Sequence, residues 1–350
     1  MTIARMSSSG SSRRRRGRLP GVASAVRLGT AVVASGALVL GSVAAAGPAG
    51  AAPARVASAA ASHRVATNYV FVTVGSHKDR TFNQLLGINS HGKIAGYFGS
   101  GAKGHPNKGY TVRPPFHQSD FRSENFPGSE QTQVTGLNNH GVTVGFFSTQ
   151  NKKNPSNDNN IGFWAHNHHF HPVVFPTTSQ SSPPINDLLG VNDHRRAVGF
   201  YENAAGHLRA FSFNIRTGNF HRVRISGATN VIATGINNKG SISGAFADGT
   251  GVHGFFLRHT GKLFILDVSG ASETQAFGVN KHGEVVGSYM VGSATHGFTW
   301  TRQHGFSAPV DDPNGIGTTT INGINTQGVL VGYYVNSAGR TKGMIAVPQP

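Results

Sequence analysis

The chain contains no cysteine, which removes disulfides, thiol nucleophiles and thiolate metal sites at once. Acidic residues are scarce, with 14 Asp and Glu set against 31 Lys and Arg over 350 residues. Glycoside hydrolysis ordinarily needs two positioned carboxylates, and no spacing among these few acids singles out a pair. Asp311-Asp312 reads as a connecting turn. After residue 68 there is no helical periodicity, so the Gly-rich segments lack the helix that a phosphate-binding loop requires. These absences leave an all-β chain that must be held together by burial alone, which a chain of this length can supply.

The charge begins unevenly. Residues 1–27 hold seven arginines and no acid. An Ala-, Val- and Gly-rich stretch from Leu28 to Ala46 follows, then the small residues Ala49-Gly50-Ala51. A basic segment, an apolar segment and a small-residue site read as a secretory signal peptide over 1–51. The alternative is a retained anchor, but the stretch is too weakly hydrophobic for a stable span. Residues 52–67 are Ala/Ser-rich with little apolar bulk and read as a disordered lead-in. Cleavage would leave 24 basic residues against 14 acidic ones, a balance of +10. A basic, exported surface suits an extracellular or cell-wall polymer, anionic in character, and export argues against nucleic acid. Charge kept only for solubility is the plainer reading.

One signature recurs six times from residue 87 onward: Gly, an aliphatic residue, Asn, a tight turn, then an apolar run. Its asparagines are Asn89, Asn138, Asn192, Asn237, Asn280 and Asn325. Seven residues after each stands a glycine: Gly96, Gly145, Gly199, Gly244, Gly287 and Gly332. Two further on is an aromatic, from Phe98 and Phe147 through Tyr201, Phe246 and Tyr289 to Tyr334. Asparagine at the start of a tight turn can bond its own backbone, and a following glycine supplies positive φ. The Asn-to-Asn spacings of 43 to 54 residues suit one four-stranded propeller blade per copy. The last copy stops after its third strand, and Tyr69-Val70-Phe71-Val72-Thr73 precedes the first hairpin. The sequence therefore predicts an all-β, six-bladed β-propeller of four-stranded blades over 68–350, closed by the N-terminal strand completing the last blade. A β-solenoid is the other architecture considered, but its coils are usually about half this length.

The repeat resembles the bacterial extracellular repeat, HAF family, whose copies pair a Gly-Ile-Asn-x-x-Gly hairpin with His-Gly-Phe. Gly235-Ile236-Asn237-Asn238-Lys239-Gly240 with His253-Gly254-Phe255 fits that pattern, as does Gly278-Val279-Asn280-Lys281-His282-Gly283 with His296-Gly297-Phe298. The third copy departs, with Arg195 at the turn glycine and Ala210 before Phe211. The resemblance implies a secreted repeat protein and carries over neither a reaction nor catalytic residues.

Irregular loops on a rigid scaffold are where binding surfaces are built. The turn within each first hairpin keeps one length, whereas the loops at the opposite end vary. Binding is therefore expected at the irregular end, through Lys103, Lys152, Lys153 and Arg340. The repeated Asn and Gly residues read as turn chemistry, and the terminal aromatics as packing between blades. His166-Asn167-His168-His169-Phe170-His171 has imidazoles enough for a metal, but it has no adjacent carboxylate and falls on the other end; no metal or cofactor is assigned. The favoured function is a secreted, monomeric, non-catalytic binding protein. A lyase or hydrolase of acidic polysaccharide and a protein-interaction platform remain alternatives.

Overall fold

The computed structural model describes residues 68–149, 159–177 and 184–349. The expected signal peptide and lead-in, and Lys152 and Lys153, lie outside the described residues. Strand β1 (Tyr69–Thr73) comes first. The first repeat gives β2 (Asn83–Ile88), β3 (Ile94–Phe98), β4 (Lys108–Val112) and the two-residue β5 (Arg122–Ser123). The second gives β6 (Gln131–Leu137), β7 (Val142–Ser148), β8 (Asn160–His166) and β9 (His169–Val173); the third gives β10 (Ile185–Val191), β11 (Arg196–Glu202), β12 (Leu208–Asn214) and β13 (Phe220–Arg222). The fourth comprises β14 (Asn230–Ile236), β15 (Ile242–Ala247), β16 (Val252–Leu257) and β17 (Leu263–Leu266); the fifth, β18 (Glu273–Val279), β19 (Val285–Val291), β20 (Ala294–Thr301) and β21 (Gly305–Phe306). The sixth repeat has β22 (Thr320–Ile324), β23 (Leu330–Val335) and β24 (Thr341–Pro348). Strand β1 pairs antiparallel with β24, Tyr69 opposite Pro348 and Thr73 opposite Met344, making a fourth strand for this unit.

The fold is all-β and propeller-like. Each repeat is an antiparallel meander, but the sheets do not divide one per repeat: two have four strands and two have eight. The larger sheets arise where the third strand of one unit touches the first strand of the next in parallel. Ile185 and Asn186 meet Asn160 and Ile161 in one case, and Val252 meets Glu273 in the other. These contacts are only one or two residue pairs long.

Side chains explain why the units stack. The second strands are buried on both faces: all seven residues of β7 and all six of β15 are inaccessible. Each junction between consecutive units has its own apolar cluster. Ala95 packs with Val134 and Phe163 between the first two units, and Phe256 and Leu266 pack with Ala276 and Phe298 between the fourth and fifth. A cluster of Leu85, Ile94, Val331 and Ile345 joins the sixth unit to the first. Burying one such side chain is worth about 1.5–3 kcal/mol, so every junction holds several times the effect of any surface ion pair.

The motif glycines mark the closest approach. A Cβ on Gly87 would lie 3.0 Å from the Cα of Gly136, and the same near-collision repeats through Gly190, Gly235, Gly278 and Gly323 back to Gly87. The next residue back in each first strand is a β-bulge, as between Leu85 and Gly87 or Ala276 and Gly278. Bulges bend and twist a strand, and here they bring the first strands together at their backbones.

The third copy keeps the turn despite its substitution. Arg195 adopts φ 58°, beside 75–83° for the glycines of the other five turns. Ala210 fits for a different reason. At Gly109 and Gly297 the following unit presents a large side chain, Val134 and Ile321, that a Cβ would meet. Ala210 instead shares its cluster with the small Ala233.

Candidate basic cleft on the turn end

Each motif asparagine is fully used by the fold. In Asn237, Oδ1 accepts from the backbone N–H of Lys239 at 3.1 Å and of Ser241 at 3.0 Å. Its Nδ2 donates to the carbonyl of Asn280 at 2.9 Å. The same donation runs from Asn89 to Asn138, Asn138 to Asn192, Asn192 to Asn237, Asn280 to Asn325 and Asn325 to Asn89. Six side chains thus form a circle of hydrogen bonds, each bracing its own turn and the next. The turn role was legible in the sequence; the donation to the neighbouring unit was not, because it joins residues 43 to 54 positions apart and, at the closing step, 236.

A further repeated device escaped sequence reading. Four residues before five of the six motif glycines, Asn83, Thr132, Asn186, Thr274 and Thr319 accept a backbone N–H from the preceding connection, at Ser76, Phe126, Phe175, Val268 and Asp312, while the fourth copy has Val231 there. The common feature is a short side-chain acceptor rather than one residue type, so it leaves no identity pattern.

Around the circle, at the centre of the turn end, is an opening of about 90 Å³ lined by the motif asparagines and their neighbours. Asp193 sits at its rim. Burial would raise its carboxyl, but Asn238 and Asn139 donate to it and their bonds win, leaving it below the ordinary carboxylate range. Deeper in the same unit lies a different carboxyl: Asp187, near the start of β10, is completely buried, and neither oxygen has a hydrogen-bond partner. Desolvation holds it well above the ordinary range, favouring the neutral acid.

A cavity lies beside this centre, between the fourth and fifth units. It measures about 710 Å³ and is lined by Lys239, Arg258, Lys281 and Arg302, with the imidazoles of His259, His282 and His304. Lys239 and Lys281 come from the invariant first turns, Arg258 and Arg302 from the third-to-fourth turns. The one acid in its lining is Glu284, which is 2% exposed and accepts from Asn280 Nδ2 at 3.1 Å. Phe256 forms part of the wall, backed by Trp300 and Phe264 at ring distances of 5.9 and 6.2 Å. The arrangement offers charged tips over an apolar wall, suited to a large anion and not to a small cation.

The charge follows the two ends of the strands. The turns at the asparagine end carry nine Lys and Arg and eight His against three acids. The described loops and connections at the other end carry five Lys and Arg and three His against seven acids. At that irregular end His105 meets Asp79 at 3.0 Å, His253 meets Asp267 at 2.9 Å and His296 meets Asp311 at 2.6 Å. The histidines of the two His-Gly-Phe motifs are therefore clasps to the next connection. Phe246 and Tyr289 pack against them, with ring centroids 5.1 and 5.4 Å away. Two other terminal aromatics stack within the fold, Phe147 on Phe126 and Tyr201 on Phe175, at 3.7 and 4.0 Å.

Of the expected binding residues, Lys103 and Arg340 lie among the described ones. Lys103 and Arg340 are exposed on the irregular end and line neither the cleft nor the axial opening. The basic cleft between the fourth and fifth units is on the opposite end from the one loop irregularity suggested. Loop length varies there because the connections differ, while the cleft's cations come from the first-hairpin turns and from the third-to-fourth turns beside them. The histidine run forms a hairpin whose tip residues Asn167 and His168 have positive φ. His171 stacks on Trp164 and His168 approaches Glu124 at 3.6 Å. Among the described residues no group of three or more His, Cys, Asp or Glu converges as a metal site would require.

No protein-family model matches the chain, and no curated protein does. Solved structures do resemble it. A protein of unknown function from Dyadobacter fermentans aligns with a TM-score of 0.54 at 8% identity, covering 80% of this chain and 98% of that one. TolB from Acinetobacter baumannii gives 0.48 at 9% identity over 77% of this chain, which spans 65% of the TolB chain. A gluconolactonase from Xanthomonas campestris gives 0.48 at 9% identity, covering 81% and 91%. The neighbours are propeller proteins of varied function, and likeness at this identity concerns the fold alone. Among the described residues no helix is long and apolar enough to cross a membrane.

Proposed function

We propose that the chain is a secreted, non-catalytic, six-bladed propeller of the HAF extracellular-repeat type that captures an anionic polymer in the basic cleft between its fourth and fifth blades. The observation that carries this reading is the cleft: about 710 Å³, four Lys and Arg in its lining and a single, buried acid. Clefts lined by one sign of charge concentrate the oppositely charged ligand and speed its encounter. The circle of asparagine bonds and the apolar cluster between the last unit and the first support a closed ring of six blades. The N-terminal composition supports export, with an extracellular or envelope polymer as the partner.

The test is cosedimentation of the full chain with insoluble cell-envelope material from a bacterial producer, at low and high salt. Retention that falls steeply with salt, and is lost in Arg258→Gln/Arg302→Gln, is the expected result. Retention at neither salt overturns the polymer reading. Release of new reducing ends or unsaturated sugars in many turnovers overturns its non-catalytic part.

A further inference from the structure

The cleft carries more than fixed charge. His259 and His304 are exposed at its rim, on the turns that also supply Arg258 and Arg302. Around His259 stand Ser241, whose Oγ lies 3.5 Å from Nδ1, and Lys239 on the neighbouring turn. His304 has the Thr301 hydroxyl at 3.3 Å and Arg302 beside it. Across the cleft are Lys281, His282 and the buried Glu284. Neither His259 nor His304 has a carboxylate partner, in contrast to His105, His253 and His296 at the other end, each already tied to an aspartate.

Resting on the polymer-binding reading above, we infer that the ligand is a polymer of sulfate or phosphate esters, and that the cleft grips it more tightly in acid because His259 and His304 add positive charge beside four permanent cations. Imidazole is the side chain whose charge ordinarily changes between about pH 5 and 8. A carboxylate polymer gains less from this device, since it begins to lose charge as the medium acidifies, whereas sulfate and phosphodiester groups keep theirs. Sulfate and phosphate esters present this chemistry alike, and the experiment tells them apart.

The experiment measures binding of the full chain to fluorescent dextran sulfate, polyphosphate and polygalacturonate at constant ionic strength from pH 7.5 down to about pH 4, where a polyuronate has lost much of its charge. Affinity for one or both oxyanion polymers is expected to rise about tenfold on acidification, a few-fold for each added charge. Polygalacturonate is expected to gain less, and His259→Gln/His304→Gln to lose most of the rise. A preference for dextran sulfate over polyphosphate, or the reverse, identifies the ester. Binding that is salt-sensitive and lost in Arg258→Gln/Arg302→Gln, yet independent of pH or as enhanced for polygalacturonate, overturns this inference and leaves the cleft reading standing. Undiminished binding by the double arginine variant overturns the cleft reading itself.

Discussion

The two ends of this molecule are built from the same strands and differ in how they treat charge. At the irregular end, cations and imidazoles are spent on the fold. His253 and His296 hold aspartates, while Lys108 and Lys342 donate to the carbonyls of Glu130 and Arg80 at 2.7 and 2.8 Å. At the asparagine end the turns are braced mainly by neutral amides, and Lys239, Arg258, Lys281 and Arg302 line a cleft whose one acid is the buried Glu284. A turn that stabilises itself without charge frees its outer positions for binding. Regular turns are therefore as able to carry a site as irregular loops, provided neutral groups do the structural work.

The sharpest way to break this contrast is to reverse charge at each end separately. Arg258→Glu/Arg302→Glu should weaken binding of an anionic polymer at low salt by about a hundredfold or more, since two attractions become repulsions. Lys103→Glu/Arg340→Glu should change it less than about threefold. Equal losses in a titration of the two variants would show that the ends do not differ in function.

Next in size is the neutral bracing itself. Asn237→Asp replaces a donor with an acceptor opposite the Asn280 carbonyl, and should cost about 2–3 kcal/mol in urea denaturation. Asn203→Asp, in an exposed loop at the irregular end where the side chain only accepts from Ala205 and His207, should cost less than about 0.5 kcal/mol. Similar losses at both positions would remove the distinction between a shared and a local turn amide.

Asp187 sharpens the comparison from inside. Its carboxyl is raised by burial, so the folded chain holds a proton that the unfolded chain releases in the ordinary carboxylate range. Stability contributed through this group is therefore fully present below the ordinary carboxylate range and is lost as pH rises from there toward the raised value of the folded state. Asp187→Asn should be more stable than the parent at pH 7, by about 1–2 kcal/mol, with the gap closing near pH 3. A gap that widens in acid would reverse the assignment. The rim carboxyl Asp193 is lowered by its amide partners and should act oppositely, its stabilisation present at neutral pH and lost as pH falls below the ordinary carboxylate range.

The smallest expected effect concerns the one non-glycine turn. Arg195→Gly should raise stability by about 1 kcal/mol in thermal unfolding, because a side chain at φ 58° is disfavoured by roughly that amount. No gain would mean that Arg195 makes contacts worth its strain.

Much of the fold was legible because its rules are local. Asn237, Gly240 and Gly244 each reveal a turn or a close approach within a few residues of one another. The pairing of Tyr69–Thr73 with the last strand could be read from a missing strand at one end and a spare one at the other. The merged sheets could not, since contacts such as Val252 with Glu273 depend on how far one unit leans on the next. The site was less legible for the same reason. Lys239, Arg258, Lys281 and Arg302 are spread over 64 positions, and only the stacking of two units turns them into one cleft. Loop irregularity pointed to Lys103 and Arg340 because it reports freedom to vary, which is separate from where uncommitted charge collects.

The circle of asparagine bonds has a consequence for how such a chain can change by inheritance. Every unit gives one bond to its successor and receives one from its predecessor, with no unit distinguished as first or last. Recombination that exchanges one copy for another therefore leaves the circle chemically intact. The cleft has no such protection, because it draws on two particular neighbours. Copies could be shuffled while the circle of bonds endures, and each shuffle would deal out a different surface between two units.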